Sequence, residues 1–385
     1  MKKRVFLALI AGLLGGSARL FADSAELLPA HVWRFRVVPV YNFAPAAFGG
    51  DWDYNEYADG EGASKAYSTG LALEYGIFDW LSLAAQWTPG WVAWSDADVN
   101  VGKDIKVNAN GVSDLFTGVA VQLVGAKAPI KAESLRFTVA PGLKVPFGGI
   151  DALEEYEKWK KGEDITAANP DNHALGAGAR VYFDWIPNTP GKHLVFNLFS
   201  EIIAYPLTTT VRDYGLTPIL SRAGEISNHY LNTTAGQTEL GVAYTLQTGG
   251  TNYTDPAFLA WAQNYVYSKI DDAAKDLAAQ KVAFGTDYTF EAELSYGGVG
   301  LGKDKKVIFN SGIPVTLNYN PGAKVGFVEN EASYLFKTSP YLSFFFTNWA
   351  LPTQLQVGYT VPIAGKNATA RHILVLQAKL FLKFW

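Results

Sequence analysis

Glu291 and Glu293, separated by one residue, are the carboxylates in this chain that most resemble an acid–base pair. General acid–base chemistry needs two groups that converge on a substrate. An i, i+2 pair on a strand instead stands side by side on one face, which suits solvated wall charges better than catalysis. The five histidines, at 31, 173, 193, 229 and 372, show no i, i+4 spacing and no matching carboxylate cluster, so no metal site is expected. Cysteine is absent, which removes disulfides, thiolate nucleophiles, iron–sulfur clusters and cysteine-bound zinc. Gly297 to Lys303 fits the spacing G-x-x-x-x-G-K. However, Asp304 stands where Ser or Thr would bind magnesium, and no helix follows to offer its N-terminus to phosphate. The segment reads as a glycine-rich loop between strands. No G-x-S-x-G nucleophile elbow occurs. An enzyme is not expected, no cofactor is implied, and a net charge of −4 gives no basic surface for nucleic acid.

What remains is a set of charges that some scaffold must hold. Lys2, Lys3 and Arg4 precede an apolar run from Val5 to Leu14, followed by small residues and Ala22. These are the parts of a secretory signal peptide, and the run is too short for a bilayer-spanning helix. Residues 1–22 are expected to be removed, with Ala18 as the alternative cleavage point, leaving 23–385 as one domain. Hydrophobic residues make up 49% and charged residues only 18%, yet no later apolar stretch is long enough to span as a helix. In lipid, the structure that satisfies every backbone N–H and C=O without helices is a closed barrel.

The alternation agrees. Over Thr286–Tyr296, Tyr288, Phe290, Ala292, Leu294 and Tyr296 share one face, and Asp287, Thr289, Glu291, Glu293 and Ser295 share the other. Similar period-2 segments cover Trp33–Val37, Ser134–Val145, Gly176–Asp184, Glu239–Gln247, Gln354–Val361 and Arg371–Trp385. The fold class expected is all-β, a transmembrane antiparallel β-barrel of about 14 strands, with 12 as the alternative, and with helical insertions in long connections. The even number follows from both termini lying on the periplasmic side. Fourteen requires a hairpin at Pro321–Gly322 and a short strand over Ala323–Glu329. The lumen-lining side chains are then Arg34, Arg36, Arg136, Lys144, Arg180, Glu201, Glu239, Asp287, Glu291, Glu293, Arg371, Lys379 and Lys383. Mixed signs on the wall either set up a transverse field over a water path or pair and block it.

Short aromatic turns at Gly76–Trp80, Ile186–Lys192 and Asn348–Pro352 place Trp80, Trp185 and Trp349 in an interfacial girdle facing outer-membrane lipid. Long connections near 43–66, 95–111, 146–173 and 207–233 read as extracellular loops. Ala152–Lys161 is expected as a short charged helix, and 256–281 as an amphipathic helix capped by Asp255 with Pro256 in its first turn. Strand parity puts that second helix on the periplasmic side, where connections are usually short.

The final strand ends at Trp385 and resembles the C-terminal strand that barrel-assembly machinery recognises in outer-membrane proteins. A second resemblance rests on Leu71-Ala-Leu-Glu-Tyr-Gly-Ile-Phe-Asp-Trp-Leu-Ser-Leu83, then Gly111-Val-Ser-Asp-Leu115, then Phe137-Thr-Val-Ala-Pro-Gly-Leu-Lys-Val-Pro-Phe-Gly148. These stretches resemble outer-membrane proteins of the phenol-degradation meta-pathway type, which are similar in architecture to the FadL/TodX-like transporters of fatty acids and aromatic hydrocarbons. The resemblance covers about the first half of the chain after the signal and implies a transporter or channel for small hydrophobic molecules. The Asn-Pro-Ala-Gly hatch signature of the fatty-acid transporters is missing, so no ligand residue is carried over. The loop aromatics Phe43, Phe48, Trp52, Tyr54, Tyr57 and Trp159 are the ligand candidates that the residues themselves suggest. Two other readings stay open: a general porin for polar solutes, and a surface interaction protein with a closed lumen.

Overall fold

The computed structural model describes residues 24–57, 64–88, 94–97, 107–108, 113–147, 149–166, 172–187, 194–326 and 328–383. The expected signal peptide and the terminal Trp385 lie outside these residues. Twelve strands close a barrel. They are β1 (Val32–Phe48), β2 (Ser64–Phe78), β3 (Leu81–Trp87), β4 (Leu115–Gly125), β5 (Leu135–Val145) and β6 (Gly176–Trp185). There follow β7 (Leu194–Ala204), β8 (Asp287–Leu301), β9 (Val307–Asn320), β10 (Ser333–Thr338 with Tyr341–Phe346), β11 (Thr353–Lys366) and β12 (Ala368–Lys383). Each strand pairs antiparallel with its successor. β12 closes on β1 through pairs such as Arg36↔Lys379 and Val40↔Val375. Closure leaves no unpaired edge in the bilayer.

The sequence pattern dictates which face is which. On β8, Phe290, Leu294 and Tyr296 are exposed, whereas Thr289 and Glu293 are buried. Leu73, Leu83, Leu143, Leu198, Ile313, Leu355 and Leu376 continue the exposed apolar band around the barrel. An outer face that is apolar with a polar interior is a membrane barrel's surface, and this chain is an outer-membrane β-barrel. No helix among the described residues is long and apolar enough to cross a bilayer. Leu294→Arg, at the middle of this band, is expected to destabilise the barrel by about 2–4 kcal/mol. Denaturant titration in lipid vesicles measures it.

The long connections leave one end of the barrel, and those at the other end are short. The turn end holds 79–80, 126–134, 186–187, 302–306 and 347–352, together with the two described chain ends. Gly302 (φ 78°) and Lys305 (φ 49°) shape the turn at the phosphate-loop-like motif. Trp80, Trp185 and Trp349 sit at this end, with Phe78 stacked on Trp80 and Phe346 on Trp349. At the loop end, β11 and β12 are joined by Asn367 alone (φ 49°), a conformation that Asn tolerates better than most residues.

The lower strand count has a local cause. Glu239–Gln247, read as a strand, lies in a helix, so Glu239 is exposed in solvent, lines no lumen and pairs with His229. Ala323–Val325 and Val328–Glu329 are strands, but they belong to a separate four-stranded sheet with Thr209–Thr210 and Lys281–Phe284. Without these two false spans, fourteen becomes twelve. The parity conflict disappears with them, because residues 205–286 form one insertion at the loop end.

That insertion is a small folded cap. It contains α2 (Val211–Tyr214), α3 (Thr217–Asn232), α4 (Thr234–Thr248) and α5 (Pro256–Ala278), with α1 (Ala152–Lys161) packed on it from the β5–β6 loop. Ala262, Val266, Ile270 and Ala274 of α5 share a core with Leu216, Ile219, Leu220 and Tyr156. Asp255 caps α5 by accepting from Ala257 N at 2.8 Å. Asp151 caps α1, and the hydrogen bond from Arg212 holds its carboxyl below the usual carboxylate range. Tyr156 donates to Asp271 across the helices at 2.8 Å, and burial pushes its phenol well above the ordinary value.

Candidate functional site

The lumen is the place where the polar residues converge, and parts of its wall are closely packed. Val38 and Thr138, both on the inner wall, have no exposure, and Val40 and Glu293 almost none. Inward rings add bulk that the sequence reading passed over. Tyr182 lies 5.1 Å from Phe199, and Phe116 rests against the inner wall beside Gly142, where a Cβ would meet its Cζ at 2.7 Å. Gly118, Gly142 and Gly178 lie side by side on β4, β5 and β6. The missing side chain of Gly142 leaves the space this ring occupies, while a Cβ at Gly118 or Gly178 would meet the Pro141 or Ile202 carbonyl. Strict alternation from Arg180 was the available signal for Tyr182, obscured because it is aromatic rather than charged.

The inward charges pair mainly along the wall, between neighbouring strands. Arg34 Nε donates to Glu74 at 3.1 Å, and Arg36 contacts the other oxygen of the same carboxylate. Arg180 Nε meets Glu201 at 2.6 Å while its guanidinium lies 3.9 Å from the Phe116 ring centroid. Lys144 lies 3.7 Å from Asp114. The acids of β8 accept hydrogen bonds: Asp287 from Asn320 (2.6 Å) and Tyr205 (2.9 Å), Glu291 from Thr316 (2.7 Å), and Glu293 from Tyr341 (2.6 Å). Lys379 is buried beside Arg36, and Lys383 is at the exposed turn-end rim. Cations on β1 and β12 therefore stand half a barrel away from the acids of β7 and β8.

At the turn end, the chain itself enters the lumen. Residues 24–28 precede β1 and reach across to β4, β5 and β6. Ser24 donates to Asp184 Oδ2 at 2.6 Å, and Ala25 N to Asp184 Oδ1 at 3.1 Å. The Ala25 carbonyl accepts from Gln122 Nε2 (2.8 Å) and Thr138 Oγ1 (2.6 Å). Arg136 bridges Glu26 at 3.1 Å and Asp184 at 3.6 Å. Ala25 has no exposure and Leu28 very little. The segment's other end is fixed by Ala30 N to Asp79 (2.9 Å) and His31 N to the Gly76 carbonyl (2.7 Å). A Cβ at Gly76 would collide with the Pro29 carbonyl. The Glu-Tyr-Gly-Ile-Phe-Asp stretch thus has a physical task, admitting and fastening the N-terminal strap. None of this shows in the sequence, because Ser24 and Asp184 are 160 positions apart and the strap has no periodicity.

The expected ligand aromatics divide. Phe43 lies on β1, paired with His372 and Lys65, so it belongs to the barrel wall and not to a loop. Phe48 ends that strand, buried against Ala46 and Ala370. Trp52 is exposed and stacks on Tyr334, and Tyr54 packs edge-on to Phe48. Trp159 stacks on Tyr156 in α1. A depression of about 500 Å³ lies on the outer wall, where the small residues Ser200 and Ala292 are ringed by Phe183, Leu198, Phe290, Leu317 and Phe336.

No protein-family model matches the chain, and no curated protein matches it in sequence. Among solved structures, an outer-membrane channel from Pseudomonas putida F1 superposes with a TM-score of 0.54 at 11% identity, covering 94% of this chain and 100% of that one. A FadL homologue from Pseudomonas aeruginosa matches at a TM-score of 0.32 and 8% identity, covering 97% of this chain and 96% of that one. The first likeness establishes a shared barrel fold; the second is too low to argue from.

Proposed function

We propose that this barrel is an outer-membrane transporter for small hydrophobic molecules, oriented with the cap and long loops outside. The observation that carries the reading is the strap seated inside the turn end of the barrel, beside a closely packed inner wall. A strap pinned to three strands and an inner wall with fully buried valines are poorly suited to a general pore for polar solutes, which needs a continuous water path. Inward aromatic rings suit an apolar guest that displaces little ordered water. The resemblance to FadL/TodX-like and meta-pathway proteins points the same way, and Trp52, Tyr54, Tyr57 and Trp159 are the loop-end aromatics that such a guest would meet first. A second reading, surface binding by a closed barrel, draws on the cap. There, Tyr244, Phe258, Trp261 and Tyr265 form a chain of ring contacts from 4.9 to 6.4 Å.

The test is binding and passage measured together. Saturable binding of a fluorescent fatty acid to barrels in lipid nanodiscs, with low conductance in a planar bilayer, is the expected result. Large steady conductance steps from the intact chain would favour the porin. Absence of any apolar ligand binding would leave surface recognition.

A further inference from the structure

Arg371 stands apart from the other inward arginines. Arg34, Arg36, Arg136 and Arg180 each meet a carboxylate, whereas Arg371 meets none among the described residues. Its neighbour His372 reaches out to Tyr359, so alternation directs Arg371 inward near the loop end. There it lies between two apolar groups, Ala46, Phe48 and Ala370 toward the rim, and Val38, Val40, Ile373 and Val375 below. Its Nη2 is buried without a hydrogen-bond partner, and so is the hydroxyl of Tyr57. The two residues are close enough to interact electrostatically. Tyr57 follows the short strand Tyr54–Glu56 that folds back on the end of β1. Burial pushes its phenol up to about 12, partly offset by the Arg371 charge, so at neutral pH it is a donor.

Two buried donors with nothing to donate to are costly, and a buried unpaired charge within a membrane barrel is costlier still. An oxyanion that accepts from both donors relieves this arrangement and neutralises the guanidinium charge as well. We propose that Arg371 and Tyr57 are the recognition point for the head of a carboxylate-bearing amphiphile entering from the loop end. The apolar groups above and below this level of the wall favour a ligand whose remainder is hydrocarbon over one that is polar all round. This assignment rests on the transport reading above and narrows its substrate class.

The test compares decanoate, decanol and acetate as competitors of a fluorescent fatty acid on the full chain in nanodiscs. Wild type should bind decanoate about tenfold or more tighter than decanol, the range expected for a charge-assisted hydrogen bond, with acetate weak. Arg371→Met should erase that preference by bringing decanoate down to about the affinity of decanol, Arg371→Lys should keep part of it, and Tyr57→Phe should weaken decanoate more than decanol. Removing an unpaired buried charge should also raise the unfolding temperature of ligand-free Arg371→Met, which shows that the variant is folded. Equal binding of decanoate and decanol by wild type, or a preference that survives in Arg371→Met, overturns the assignment and leaves hydrophobic transport standing. If neither compound binds, both fall.

Discussion

Deleting residues 24–28 should convert a barely conducting barrel into one with large, steady current steps. The strap is held by two hydrogen bonds to the buried Asp184 carboxylate, two to the Ala25 carbonyl, and the Arg136–Glu26 pair. Hydrogen bonds to a charged group contribute about 1.5–3 kcal/mol each. Asp184→Ala therefore removes about 3–6 kcal/mol of anchoring, a shift of more than a hundredfold in favour of the released strap. This variant should flicker between closed and open levels, because the strap's other contacts remain. Asp184→Asn keeps one acceptor and should fall between wild type and Ala. Planar-bilayer recording of the three variants is the measurement. Unchanged conductance on deletion would place the closure elsewhere, at the packed wall around Val38 and Glu293.

Glu201→Ala should strongly destabilise the inner wall, costing about 3 kcal/mol or somewhat more. Glu201 is buried, and its loss leaves Arg180 over the Phe116 ring without a carboxylate, with Tyr182 as its remaining hydrogen-bond partner. The cost falls at the lower end of the range for breaking a buried pair, because Arg180 remains 22% exposed. The double change Arg180→Met with Glu201→Leu should recover most of the loss, since a well-packed apolar pair of similar volume often equals a buried ion pair in stability. Denaturant midpoints in vesicles separate the two outcomes. A double variant no better than Glu201→Ala would mean that the pair's own attraction, and not the stranded charge, sets the stability.

The sequence made the wall legible wherever two unlike media lie on its two sides. On β8, lipid selects Phe290 and Leu294 while the lumen selects Thr289 and Glu293, so period 2 is enforced at every position. The same period misled at Glu239–Gln247, where Leu240, Val242, Tyr244 and Leu246 alternate by coincidence. In the helix only Leu240 of these is buried, and Leu246 is 81% exposed. The helical signals were present in Thr233, whose hydroxyl caps Gly236 N at 3.0 Å, and in Gly249 with φ 74° at the other end. Wall charges such as Arg36, Arg180 and Glu293 were readable as inward-facing. Their partners were less so, and Glu74 was passed over although it lies in phase between the outward Leu73 and Tyr75. The strap and the Arg371–Tyr57 pair depend on contacts between distant parts of the chain, which no local pattern carries.

The cap bears on how the barrel is built. β7 and β8 are neighbours in space yet separated by residues 205–286. Closing a loop of that length costs about 2.5 kcal/mol more in chain entropy than closing a turn of about five residues. If the cap's own core forms first, its ends come close together, as in the Tyr205–Asp287 hydrogen bond of 2.9 Å, and much of that entropy is lost before the strands meet. The barrel then zips in two blocks, β1–β7 and β8–β12, joined at a seam whose speed is set by a soluble helical bundle rather than by the membrane-embedded strands.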